Sequence, residues 1–276
     1  MKSWLITGAS KGLGRAVAVA ALERGDRVAG LARDIAPLQE LQKAYGVALL
    51  PIRADVTRVA DIDAAVRTVL AAWNSIDILV NNAGIGSIGS VEETSEDEAR
   101  GVLEANFFAP WHVIQAVLPK MREQGSGHIV QISSVAGLAS FPLIGFYNAS
   151  KWALEGLSEA LAEEVAPFGV KVTLVEPGAM RTDWPTNAMN HAANPLPVYD
   201  AARQERVDAM ADEYARLQAV DPERTALAVL RLVDLDRPPL RVIGGGGGFD
   251  LVMSRYEERT AEWSAWEDLS RSVDFP

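Results

Sequence analysis

The chain has no cysteine among its 276 residues. That excludes a disulfide framework, a thiolate nucleophile and a cysteine-ligated zinc centre. It has three histidines (His112, His128 and His191), scattered without metal-ligand spacing, so no metal site is expected. Excess positive charge is also lacking. The formal charge of −11 argues against nucleic acid or an anionic membrane as the main partner. No apolar run is long enough to cross a bilayer. The first residues enter a strand directly, without the charged and then apolar leader of an exported protein, so a cytoplasmic location is expected. No Pro/Gly/Ser linker divides the chain and no repeat is visible, and 276 residues suffice for one large domain.

What is present is alternation. Short β-branched runs at residues 4–7, 27–32, 47–53, 76–81, 128–133, 170–175 and 240–243 are separated by helical patterns. These fall near 13–24, 38–44, 59–73, 95–121, 149–165 and 222–234. Several runs are almost continuously apolar, as parallel strands covered on both faces are. Parallel neighbours need a crossover connection, so the expectation is an α/β, doubly wound Rossmann-type fold with about seven parallel strands. Two segments depart from the alternation. Residues 183–221 form a long insertion that could close over a substrate as a lid; its second half carries Val207, Met210, Tyr214 and Leu217 at helical spacing. Residues 244–276 form a C-terminal extension that begins with five glycines and carries Trp263 and Trp266, expected to be a packed helix.

Directly after the first strand comes Thr7-Gly8-Ala9-Ser10-Lys11-Gly12-Leu13-Gly14, opening a helix. Glycines at 8, 12 and 14 let backbone N–H groups approach a pyrophosphate at the positive end of the helix dipole. The second strand ends in Arg33-Asp34. A carboxylate there would hold the ribose 2′-hydroxyl of NAD, whereas a cation suits the 2′-phosphate of NADP, and spacing alone allows either. Arg33 together with Lys11 favours NADP(H), with Asp34 capping the next helix and NAD(H) as the alternative.

Farther on, Tyr147-Asn148-Ala149-Ser150-Lys151 begins a helix, so Tyr147 and Lys151 share a face. A phenol of pKa near 10 is a poor acid–base group at neutral pH, and a neighbouring ammonium brings it towards the working range.

These features resemble the short-chain dehydrogenase/reductase family, the branch with the Thr-Gly-x-x-x-Gly-x-Gly turn, from Thr7 to about Thr182. Asp55-Val56 resembles the family's adenine-side position, and Asn81-Asn82-Ala83-Gly84 its cofactor-lining motif. Ser134, thirteen residues before Tyr147, matches the catalytic serine. Asn106 matches the asparagine that links the lysine to solvent through water, and Pro177, Gly178, Met180 and Thr182 the loop that holds the nicotinamide. The resemblance implies a hydride-transferring oxidoreductase. In it Ser134 would hold the substrate oxygen, Tyr147 would exchange its proton, and Lys151 would bind the ribose and keep Tyr147 acidic. It also implies a homodimer or homotetramer. Phe141, Leu143, Ile144, Trp184, Met189 and Tyr199 suggest an apolar pocket without a cation, hence a medium-sized apolar ketone, aldehyde or secondary alcohol. A non-catalytic NADP(H)-binding sensor or scaffold on the same fold is the competing reading, though a sensor needs no proton donor.

Overall fold

The computed structural model describes residues 1–181, 189–216 and 220–275, with the backbone alone over 210–216. Seven strands form one parallel sheet: β1 (Ser3–Thr7), β2 (Arg27–Ala32), β3 (Leu49–Arg53), β4 (Ile78–Asn81), β6 (Gly127–Ile132), β7 (Val170–Pro177) and β9 (Arg241–Gly244). Their spatial order is β3-β2-β1-β4-β6-β7-β9. The chain winds outward from β1 to β3, crosses back to β4 and winds outward again. The reversal leaves a crevice beyond the carboxyl ends of β1 and β4, where ligands of open α/β sheets bind.

Each face is covered by three helices. On one lie α1 (Gly12–Glu23), α2 (Ala36–Tyr45) and α8 (Pro222–Leu232), whose Val17, Ala18, Leu38 and Val229 share a core with Ile6 and Val80. On the other lie α3 (Val59–Trp73), α5 (Ala109–Gln124) and α6 (Gly145–Val165), with Ile62, Val113, Val117 and Leu161 against Leu5 and Leu79. Each large apolar side chain so buried contributes about 1.5–3 kcal/mol.

Local sequence accounts for several helix ends. Ser95 caps α4 (Glu96–Leu103) by accepting the Glu98 N–H at 3.3 Å, and the Glu98 carboxylate accepts the Ser95 N–H at 2.8 Å. Asp221 caps α8, with Pro222 at its first position.

Four features differ from the sequence expectation. The helix expected over 95–121 is interrupted by a π-helical turn, Glu104–Phe108. The Asn106 side chain there is drawn into backbone bonds described below. Two three-residue strands, too short to show alternation, form a second parallel sheet: β5 (Gly86–Ile88) and β8 (Met189–His191). The helix of the insertion, α7 (Asp200–Arg216), starts well before Val207. The tail is helical, as α9 (Gly246–Ala265) and α10 (Glu267–Arg271), but it is not packed: Val252 is buried, while Trp263 and Trp266 are more than 60% exposed.

Candidate active site

The nucleotide end is built on the turn between β1 and α1. Gly8 (φ 65°) and Gly12 (φ 55°) adopt the left-handed backbone that glycine alone takes up without strain. Asn82, just past β4, donates from Nδ2 to the Thr7 and Gly8 carbonyls at 2.9 and 3.2 Å. In return the Thr7 hydroxyl accepts the N–H groups of Asn82 and Ala83 at 2.9 and 3.0 Å. The two loops are thereby locked side by side at the switch point.

They open on a cavity of about 690 Å³. Gly8, Ser10, Lys11, Gly12 and Leu13 line it from the first loop, and Asn82, Ala83 and Gly84 from the second. Gly14 does not line it. Gly14 packs instead beneath the Gly8 carbonyl, where a side chain has no room. Arg33, Asp34, Asp55 and Val56 wall the far end. Asp34 accepts the Ala36 N–H at 3.0 Å and so caps the start of α2. Burial pushes the Asp55 carboxyl upward, but hydrogen bonds from the Thr57 N–H and hydroxyl, with the charges of Arg33 and Arg58, hold it below the usual carboxylate range. Its side chain braces that loop.

At the other end of the same cavity lie Ser134, Tyr147, Lys151, Pro177, Gly178 and Met180. Helix α6 begins at Gly145, which places Tyr147 in its first turn and Lys151 one turn on. The Lys151 Nζ is 5.8 Å from the centre of the Tyr147 ring and donates to the Ile132 carbonyl at 2.9 Å. Burial lowers its pKa to about 8, against the opposing pull of Glu155. Ser134 sits where β6 gives way to a 3-10 turn (Val135–Gly137). Its hydroxyl accepts the Ala136 N–H at 3.1 Å and donates to the Pro177 carbonyl at 3.4 Å.

Asn106 is not part of the wall. Its amide accepts the Ile85 N–H and donates to the Ile85 carbonyl, each at 2.8 Å, and also donates to the Ser150 hydroxyl at 3.0 Å. The π turn thus clamps the loop after β4 to the helix that carries Lys151. Asn81 is likewise a brace, donating to Gln131 Oε1 at 2.9 Å.

On the substrate side Phe141, Ile144 and Met189 line the cavity; Leu143 and Tyr199 do not. Leu143 is buried with a left-handed backbone (φ 63°), and the Tyr199 hydroxyl donates to the Glu92 carboxylate at 2.7 Å. Thr182 and Trp184 lie outside the described residues. The pocket does contain a cation, contrary to expectation. Arg206 of α7 lines it with its guanidinium 5.2 Å from the centre of the Phe141 ring. Arg206 stands one turn before Met210 at the edge of the apolar stripe, where a lone charged residue gave no sign that it would face the pocket. The glycine run also acquires a role. Gly248 lets the start of α9 pack against Val135 and the Gly178 backbone, two segments that line the cavity.

A family model described as short chain dehydrogenase matches residues 2–193. The chain belongs to the short-chain dehydrogenase family. Over 273 residues, 98% of both chains, it is 36% identical to oxidoreductase BOA17 of Botryotinia fuckeliana. It is 42% identical to 3-ketodihydrosphingosine reductase of Bacteroides thetaiotaomicron over 66% of this chain and 65% of that one. A short-chain dehydrogenase from Streptomyces avermitilis is similar in structure, with a TM-score of 0.92 at 42% identity over 99% of this chain and 100% of its own. Two further similar structures hold different nucleotides. One from Burkholderia phymatum contains NAD (TM-score 0.82, 27% identity, 95% of each chain). A metagenomic short-chain oxidoreductase contains NADP (TM-score 0.70, 29% identity, 88% of this chain and 95% of that one). As a short-chain dehydrogenase the chain is an oxidoreductase acting on small molecules. Among the described residues no helix is long and apolar enough to cross a membrane, and no three metal-ligating side chains converge.

Proposed function

We propose that this short-chain dehydrogenase is an NADP(H)-dependent carbonyl reductase or alcohol dehydrogenase with Tyr147 as its general acid and base. The observation that carries the reading is one continuous cavity with Lys11 and Arg33 at one end and Ser134, Tyr147 and Lys151 at the other. A dinucleotide fits the first part, because Gly8 and Gly12 line it with bare left-handed backbone at the start of α1, beside the Lys11 cation. Gly8, Ser10 and Gly12 would hold the pyrophosphate, Arg33 and Lys11 the 2′-phosphate, and Asp55 and Val56 the adenine. Asn82, Ala83, Gly84, Lys151, Pro177, Gly178, Met180 and Thr182 would hold the nicotinamide riboside. When bound, the nicotinamide supplies or accepts the hydride.

The protein supplies the rest. Ser134 orients the substrate oxygen and stabilises charge gathering on it. Tyr147 gives that oxygen a proton in reduction and takes one in oxidation. The Lys151 ammonium favours the phenolate and makes that exchange possible near neutral pH. Asn106 holds the Ile85 loop and α6 in register around these groups. Phe141, Ile144 and Met189 present an apolar wall, to which Trp184 would add, and this suits a medium-sized ketone or secondary alcohol; the name of the Bacteroides relative supports that class.

The test is NADPH consumption against a panel of ketones by the parent and Tyr147→Phe. We expect kcat to fall by about 10²–10⁴, with NADPH still binding. Equal activity on every substrate would overturn the reading, and higher kcat/KM with NADH would overturn the NADP assignment.

A further inference from the structure

Directly beneath the reacting groups lies a cluster that the reaction described above does not use. Glu155 is one turn past Lys151 on α6 and 4% exposed; Glu176, at the end of β7, is fully buried. The two carboxyl groups lie against each other. One cation serves both. Arg241 of β9 has its Nε 3.0 Å from Glu155 Oε2 and 3.7 Å from Glu176 Oε1, while its Nη2 is 2.6 Å from the more exposed Glu159. Among the described residues Glu155 Oε1 and both Glu176 oxygens lack a well-formed hydrogen bond, the Ser133 hydroxyl being the one neutral donor turned towards Glu155. Two buried carboxylates in contact with too few donors cannot both stay ionised, and the missing donor is a proton held between them. Burial and the neighbouring Glu155 push the Glu176 carboxyl up to about 8.

Among the described residues the charged groups facing this pair are Lys151 and Glu159 on α6 and Arg241 on β9, and the turn after β6 adds the Ser133 hydroxyl and Gly137. Ser133 precedes Ser134, and Glu176 precedes Pro177, whose carbonyl accepts from Ser134. Glu155 draws Lys151 towards its ammonium form, against desolvation. The pair therefore touches both strand ends and the helix that carry the reacting side chains.

We propose that Glu155 and Glu176 are a proton-sharing pair of positioning residues, Glu155 keeping Lys151 charged and Glu176 fixing the Ser134–Pro177 contact. The proposal rests on the reading of Tyr147 and Lys151 as the reacting groups. Its test separates the two. Glu155→Gln keeps the shape and confines the pair's negative charge to Glu176, taking it away from the position that draws on Lys151. Its alkaline limb for ketone reduction moves down by about one pH unit, a tenfold loss of rate above the limb. The alkaline limb of NADPH binding, followed by nucleotide fluorescence, moves with it, so the proposal is tested whether or not a ketone is turned over. Glu155→Asp keeps the charge and restores both limbs. In the wild type, infrared spectra at neutral pH show a protonated-carboxyl stretch that is absent from Glu176→Gln and fades as pH rises through about 8. A merely structural cluster lowers rates in Glu155→Gln without moving either limb, and that result overturns the proposal. So does a wild type without the infrared band, a measurement that needs no variant to fold.

Discussion

A methyl group added at Gly14 would sit 2.4 Å from the Gly8 carbonyl oxygen and 2.5 Å from Asn82 Nδ2. Both atoms belong to the two locked loops, so neither can move without opening the turn. Gly14→Ala is expected to destabilise the protein by about 1–3 kcal/mol and to weaken NADPH binding at least tenfold, measured by denaturant titration and nucleotide fluorescence. Arg33→Ser is expected to spare the fold and lower the NADPH-to-NADH ratio of kcat/KM by about tenfold or more, since a charge-assisted contact of about 1.5–3 kcal/mol is lost. Glu176 gives a pH prediction whose sign is fixed. Its folded pKa is raised, so its favourable contribution is complete below the ordinary carboxyl value of 4.5 and is lost as pH rises through about 8. Glu176→Gln should flatten the decline of thermal stability over that window. At this scale Tyr147, Lys151, Ser134 and the glycines were legible because each must be a particular residue at a particular spacing. Glu155, Glu176 and Arg206 were not, because a carboxylate or guanidinium in a helix or strand reads as a solvated face until the tertiary fold buries it.

Among the elements, the insertion is where sequence reading stopped soonest. Its apolar stripe announced a helix, but the polar residues tie that helix down. Glu93 is fully buried at its side chain and accepts from both terminal nitrogens of Arg203 on α7 at 2.9 Å, as well as from the Ser90 and Leu196 N–H groups at 2.7 Å. Removing the cation leaves a buried carboxylate short of a partner. Because Arg203 is 17% exposed, water softens the penalty. Arg203→Met should lower the thermal midpoint. The loss should appear first as local opening, by faster hydrogen exchange in α7 and a raised KM for the ketone with kcat less affected. The long parallel strands, by contrast, were readable from apolar runs alone, their ends shifting by two residues or fewer at most positions. The π turn at Asn106 was hidden because an asparagine in an apolar helix gives no local sign that its amide will satisfy a loop twenty-one residues upstream.

For the whole molecule, a charge of −11 surrounds a cavity whose walls carry Lys11, Arg33, Lys151 and Arg206. An anionic nucleotide is thus repelled at long range and attracted at short range, and salt screens the first more than the second. The tail tests a different kind of independence. Beyond its first turns α9 is exposed apart from Arg259, whose guanidinium lies 5.0 Å from the centre of the Trp152 ring, so removing residues 257–276 should lower the thermal midpoint only slightly and leave turnover close to that of the full chain. Alternation and glycine placement had already fixed the doubly wound class; the exposure of the tail depends on what it fails to touch, which no local pattern records.

The small sheet of β5 and β8 has a kinetic consequence. Strand β5 follows Gly84 with one residue between, so it continues the nucleotide loop; its Ile88 carbonyl accepts the Ala192 N–H at 2.9 Å, and the Gly89 N–H donates to Leu143 at 2.8 Å. Whatever steadies the Asn82–Gly84 backbone also steadies the first stretch of the insertion and the approach to Tyr147. Affinity for the ketone should therefore appear only after the dinucleotide is seated. Steady-state analysis should show compulsory order, with oxidised nucleotide competing against reduced nucleotide and the alcohol product competing against neither substrate of the free enzyme.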